Sequence, residues 1–203
     1  NTLKNAGCIV DAVEVASLYE LVSVLQNTAK DTLVWGNAYW VNDENGAEIG
    51  LTKQIEKYNL PMVGSDFETL NLLLEKDSCQ KQLKAGGIPI PNHMIIPNDD
   101  ISNITERITS SNLVFPLVIK PTKESRSKGV TKVENLKEAV DVIQLISKNF
   151  PNGNIIIEEF LPTDDITCGY LQFGNEIIIL PSYNTVKGMD CSTEVFGEKH
   201  YEQ

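Results

Sequence analysis

Lys120 closes the apolar run Phe115-Pro116-Leu117-Val118-Ile119-Lys120-Pro121. Glu158 and Glu159 close another, Ile155-Ile156-Ile157-Glu158-Glu159-Phe160-Leu161. A charge leaving a buried strand is costly unless something of opposite sign meets it, so a lysine there calls for an anion. The loop that follows, residues 122–129, carries Thr122, Ser125, Ser127 and Gly129. Its hydroxyls and backbone N–H groups suit a phosphate. The carboxylates of the second run accept hydrogen bonds from an amine or a hydroxyl. Cation and loop on one side, acceptors on the other, make a nucleotide clamp. The plainer alternative is a surface lysine and two acids at ordinary strand ends.

The elements that must hold these groups read as alternating helix and strand. Apolar spacing predicts amphipathic helices over residues 11–25, 48–58 and 136–147. A short strand is expected at 32–35, followed by a polar turn at 42–46. Ser65 or Asp66 can cap a helix running to Leu74, and residues 76–84 form another that stops at Gly86-Gly87. Residues 95–96, 117–119 and 155–157 are strands, and 171–180 is a hairpin turning at Gly174-Asn175. Helices on one face of an antiparallel sheet would give a small nucleotide lobe.

Composition narrows the class. The 203 residues are 41% hydrophobic, enough for one or two cored domains. A net charge of −11 argues against nucleic acid, whose binding needs clustered Lys and Arg. Cys8, Cys79, Cys168 and Cys191 are scattered, with no Cys-x-x-Cys pair, which suggests reduced thiols rather than disulfides or zinc. With no membrane-length apolar run and no signal peptide, the expected compartment is the cytoplasm.

Four motifs in order resemble the ATP-grasp superfamily, and most closely its D-alanine–D-alanine ligase branch. Leu60-Pro61-Met62-Val63-Gly64-Ser65 is similar to the "P-x-V-G-S" that ends that family's N-terminal domain. Glu75-Lys76 with Lys81 and Ala85-Gly86-Gly87-Ile88-Pro89-Ile90-Pro91 looks like "DK…K…AGIPVP". Lys120-Pro121 with Glu124-Ser125-Arg126-Ser127-Lys128-Gly129-Val130 is similar to "VKP…EGSSVGV", and Glu158-Glu159-Phe160-Leu161 resembles "EEFI". The resemblance implies an α/β chain. Residues 1–66 would be part of a pre-ATP-grasp domain, 67–160 the α+β small lobe of an ATP-grasp fold, and 161–203 the start of its large lobe with a mobile substrate loop.

It also implies roles. Lys76 would contact a phosphate of ATP, Lys120 a phosphate and the base, Glu158 the adenine amino group, and the backbone of Glu159 and Leu161 the base edge, with Phe160 packed nearby. Asp165, one methylene shorter than the family's Glu, would hold the ribose. Ser127 and Arg126 would be the catalytic residues, and Ser127 and Glu124 would also line the cofactor site, Glu124 accepting from a substrate amine or binding a loop donor. Arg126 stands where the family has its first serine; it could grip a carboxylate or phosphate, or point into water. Lys76, Lys81 and Lys84 could equally form one solvated helix face. The resemblance places magnesium ligands beyond Gln203, with no metal site in this chain. It further implies amino-acid-like substrates, a homodimer, and segment 189–201 as a loop over the acceptor.

The activity implied is ATP-dependent ligation of a carboxylate to an amine. Two alternatives stay open. One is another amino-acid or natural-product ligase on the same scaffold, favoured by Arg126 and by Asn37-Ala38-Tyr39-Trp40, where the family often has "HG". The other is a nucleotide-binding module without catalysis.

Overall fold

The computed structural model describes residues 2–163, 166–181 and 183–184, in two compact units, 1–71 and 72–203. The first begins with α1 (Thr2–Asn5) and α2 (Leu18–Asn27). A hairpin of β1 (Trp40–Asn42) and β2 (Glu48–Gly50) runs directly into α3 (Leu51–Lys57). Leu21 and Leu25 of α2 pack with Leu51 and Ile55 of α3 and with Leu60.

Three expectations for this unit need correction. The helix predicted from residue 11 starts at Leu18, because Ser17 caps it, its hydroxyl accepting from Glu20 N. Of residues 11–16, Val15 packs against the same cluster from a segment that is not helical. The helix predicted from residue 48 loses its first turn to β2, since the Asp43 carboxylate accepts from Asn45 N and Ala47 N and folds 43–47 into a hairpin turn. The strand at 32–35 reduces to one parallel bridge, Val34 to Met62.

Helix α4 (Phe67–Leu74) runs through the boundary between the units, and Asp66 caps it by accepting from Thr69 N. In the second unit, α5 (Lys76–Ala85) stops where expected. Gly87 takes φ +77°, its N–H bonds Lys84 O, and Ile88 N bonds Leu83 O. Gly87 thus satisfies the last carbonyls in a left-handed conformation that a glycine adopts freely.

The centre of this unit is a four-stranded antiparallel sheet in the order β3 (His93–Ile96), β6 (Ile155–Glu159), β4 (Leu117–Pro121), β5 (Thr131–Val133). Helices α6 (Ile104–Thr109) and α7 (Leu136–Asn149) cover one face. Leu117, Ile119, Ile155, Ile157, Ile96 and Val133 meet Ile104, Ile108, Ala139, Ile143 and Ile146 there. Asn135 and Glu138 cap α7 reciprocally: Glu138 N donates to Asn135 Oδ1 and Glu134 N to Glu138 Oε2. Neither α6 nor β5 was anticipated from the sequence; each is too short for its periodicity to register.

Side chains alternate between faces, so the residues between those core positions point the other way. Register aligns His93, Glu158, Val118 and Lys132 in one cross-strand row, with Lys120 beside Ile156 in the next. The face turned to α6 and α7 is apolar through β3, β4 and most of β6, with Glu159 and Thr131 at its margin, and Glu158 and Lys120 lie on the opposite face.

The remaining strands lie beyond the sheet. β7 (Ile166–Thr167) pairs with β10 (Tyr183–Asn184), and β8 (Tyr170–Phe173) with β9 (Glu176–Ile179). The β8–β9 turn falls at Gly174-Asn175 as expected, and Phe173, Ile177 and Ile179 are exposed.

Candidate functional site

Glu158 is the focus of the polar face. It is 8% exposed, in a strand whose other residues are buried isoleucines and one half-buried acid. Lys120 donates to its Oε1 and Gln80 Nε2 to its Oε2 at 2.9 Å. Cross-strand alternation explains the pair. Glu158 lies opposite Val118, so Lys120, two residues on, is its diagonal neighbour within reach of a long side chain.

Lys76 arrives from α5. Its backbone N–H donates to Thr122 O at 3.1 Å, and its ammonium reaches Thr122 O at 3.5 Å and Glu124 O. A cation in the first turn opposes the helix macrodipole, which marks this as a poor place for a lysine unless an anion is at hand. Burial chiefly, then the Lys120 charge, hold the Lys76 ammonium below its ordinary 10.5, against the pull of Glu124, Glu158 and Glu75. The sequence left open whether Lys76, Lys81 and Lys84 share a solvated face. Lys81 is exposed and paired to Asp77 at 2.9 Å, whereas Lys76 turns inward.

The loop after β4 is built on left-handed backbone. Lys128 N bonds Ser125 O, and the residues between, Arg126 and Ser127, have φ of 55° and 57°. Two non-glycine residues in this region store strain of roughly 1–3 kcal/mol each, a feature that clusters at ligand sites. Gly129 ends the turn at φ +70°. A Cβ there would lie 2.8 Å from Phe150 Cε2 and 3.0 Å from Pro121 Cδ. Lys123 pairs with Glu75 at 3.0 Å.

The structure gathers Lys76, Lys120, Glu158 and the Glu124 carbonyl into one cluster. Arg126 and Ser127 lie at the loop tip, and among the described residues neither side chain bonds to that cluster. Glu159 points to the other side of its strand and ties loops together, accepting from Asn92 Nδ2 at 3.0 Å and from Val114 N at 3.3 Å. Its own N–H is bound to Asn92 O, and the Leu161 carbonyl accepts from Thr163 N. Phe160 lies 4.4 Å from the Lys132 ammonium, ring centroid to Nζ. Asp165 and segment 189–201 lie outside the described residues. No group of three or more His, Cys, Asp or Glu among the described residues could hold a metal. No described helix is long and apolar enough to cross a membrane.

One contributor was missed: Gln80 follows Lys76 by four residues, so helical spacing alone could have flagged it. Thr122, grouped with the loop hydroxyls suited to phosphate, is instead 1% exposed, and its hydroxyl accepts from Asn154 N at 3.0 Å, which fixes the loop's origin.

Residues 82–192, which include β4, the loop and β6, match the family model described as D-ala D-ala ligase C-terminus. The chain belongs to this family. Its fold is that of the ATP-grasp ligases. The VanG D-Ala:D-Ser ligase from Enterococcus faecalis superposes with a TM-score of 0.62 at 27% identity, over 74% of this chain and 42% of that one. The D-alanine–D-alanine ligase from Coxiella burnetii, at 21% identity, shares the fold with a TM-score of 0.59, over 76% of this chain and 44% of that one. In sequence, the D-alanine–D-alanine ligase of Azobacteroides pseudotrichonymphae genomovar. CFP2 is 30% identical over 147 residues, 71% of this chain and 44% of the relative. The chain spans about two fifths of the length of the curated relatives it matches first, 37%, 46% and 41%.

Proposed function

We propose that this chain is the nucleotide-handling part of an ATP-dependent carboxylate–amine ligase of the D-alanine–D-alanine ligase kind. The observation that carries the reading is the Lys76–Lys120–Glu158 cluster on the polar face of the β4–β6 pair, in a chain of this family. Two inward ammoniums and a loop of left-handed backbone fit the phosphates of ATP. The Glu158 carboxylate fits a base amine, with Phe160 close by and the backbone of Glu159 and Leu161 beside it. Asp165 is the proposed ribose ligand. ATP supplies a phosphoryl group that activates the substrate carboxylate as an acyl phosphate, and an amine displaces it to give the amide, ADP and phosphate. The chain's own residues position and neutralise charge, which is most of what such a transfer asks of a protein.

Residues 1–66 are proposed as pre-ATP-grasp domain, 67–160 as small lobe and 161–203 as the start of the large lobe. The break between compact units at 71/72 supports the first boundary. Magnesium ligands, substrate loop, amino-acid-like substrates, homodimer and cytoplasmic setting belong to the same proposal for the full-length protein. Arg126 and Ser127 at the strained loop tip are its substrate-side residues. Arg126 in place of the family serine favours a second reading, a ligase for a different amino-acid pair.

The test is ADP release by the full-length protein over a panel of amino acids, with calorimetric ATP titration of Lys120→Ala. Loss of about 1.5–3 kcal/mol in ATP binding is expected, the worth of a hydrogen bond to a charged group. Unchanged affinity in the folded variant would remove Lys120 from the site. ATP binding without ADP release on any pair would leave a binding module.

A further inference from the structure

The proposed reading does not use Gln80, yet α5 places it on the central carboxylate. Gln80 follows Lys76 by one helical turn, so both project from the same helix face. Its amide donates to Glu158 Oε2 at 2.9 Å while Lys120 holds Oε1. Chemistry fixes which way the amide points. Turned over, its oxygen would meet a carboxylate oxygen with no proton between them. In the orientation adopted, Gln80 Oε1 is buried and makes no hydrogen bond among the described residues. A buried acceptor left unmatched lowers stability, so folding alone does not account for an amide here.

A carboxylate offers about four lone-pair positions, and these two donors occupy two of them. Both oxygens are held as acceptors, and what Glu158 can still present to a ligand is acceptor capacity. We propose that Gln80 is a positioning residue that sets base selectivity: by holding Glu158 Oε2 it makes the carboxylate a reader of N–H donors, favouring a 6-amino purine over a 6-oxo purine. A 6-oxo group would set a carbonyl oxygen against the carboxylate. The inference rests on the nucleotide reading above.

The test is binding of ATP and ITP, which share their phosphates, to the full chain and to Gln80→Met, Gln80→Glu and Gln80→Lys. The parent should prefer ATP by about tenfold or more. Gln80→Met, which keeps the volume and removes the donor, should shrink that ratio severalfold, chiefly by weakening ATP. Gln80→Glu, which replaces the donor with an acceptor, should shrink it too and serves if the first variant does not fold. Gln80→Lys restores a donor and should restore the ratio, which a residue needed only for packing would not do. Parallel weakening of both nucleotides, with the ratio unchanged, overturns the role of Gln80 and leaves the nucleotide reading standing. Absence of any nucleotide binding by the parent overturns both.

Discussion

Lys120 on β4 and Glu158 on β6 are 38 residues apart in sequence, and the ammonium of one donates to Oε1 of the other. The two side chains are 19% and 10% exposed, so the pair is largely withdrawn from water. Such a pair contributes little net stability when intact, yet breaking it leaves an uncompensated buried charge. Lys120→Met should therefore cost about 3–5 kcal/mol, and Lys120→Met with Glu158→Leu should recover most of that. Urea unfolding of the four proteins of this cycle measures the coupling. Additive losses would mean that the two groups do not depend on each other.

Lys76 makes nucleotide binding sensitive to pH in a direction that can be worked out. Burial first and the Lys120 charge second lower its proton affinity below the ordinary 10.5 in the empty chain. A bound polyphosphate brings negative charge and raises it again. Between those two values the complex holds a proton that the free protein lacks, so binding takes up protons and weakens as pH rises through that alkaline window. For the empty chain the folded lysine binds fewer protons than the unfolded one, so its cost to stability is present in full at lower pH and lifts as pH approaches 10.5. Calorimetry in two buffers of different ionisation heat reads the uptake directly. Lys76→Met should abolish it, and equal uptake in the variant would assign the proton elsewhere.

Gly129 and Gly174 both have positive φ, +70° and +60°, but they differ in their surroundings. A Cβ at Gly174 meets nothing within 4 Å, whereas one at Gly129 collides with the Phe150 ring and Pro121. Gly174→Ala should cost about 1–2 kcal/mol, from the left-handed backbone alone. Gly129→Ala adds overpacking of about 1–3 kcal/mol to the same strain. Equal melting shifts for the two variants would show that Phe150 yields freely.

The left-handed pair Arg126 and Ser127 should respond to residue type in a way exposed loops usually do not. Asparagine tolerates this region, so Arg126→Asn should hold stability or raise it by up to about 1 kcal/mol. Ser127→Val, β-branched, should lower it by about 1–3 kcal/mol. Thermal melting distinguishes these outcomes. A neutral Ser127→Val would mean that the turn relaxes at little cost.

Local signals located most of the second unit. The isoleucine run of β6, the apolar run of β4, the helix α7 and the α5 stop at Gly86-Gly87 each follow from a few neighbouring residues. Lys120 and Glu158 stood out as charges closing apolar runs, whereas Lys76 was picked out only by the resemblance of its segment to the family motif. Sequence failed where a signal required a partner. The spacing of residues 11–16 is helical on paper, yet the helix begins only after the Ser17 cap, and Val15 reaches the core without it. Strand order was equally hidden. Period-2 alternation assigns each residue to a face, yet it does not say which strand lies beside which. The order β3-β6-β4-β5 was settled by the summed packing of the core face against α6 and α7. That order made Lys120 the partner of Glu158 and brought α5, with Lys76 and Gln80, onto the face the core did not need.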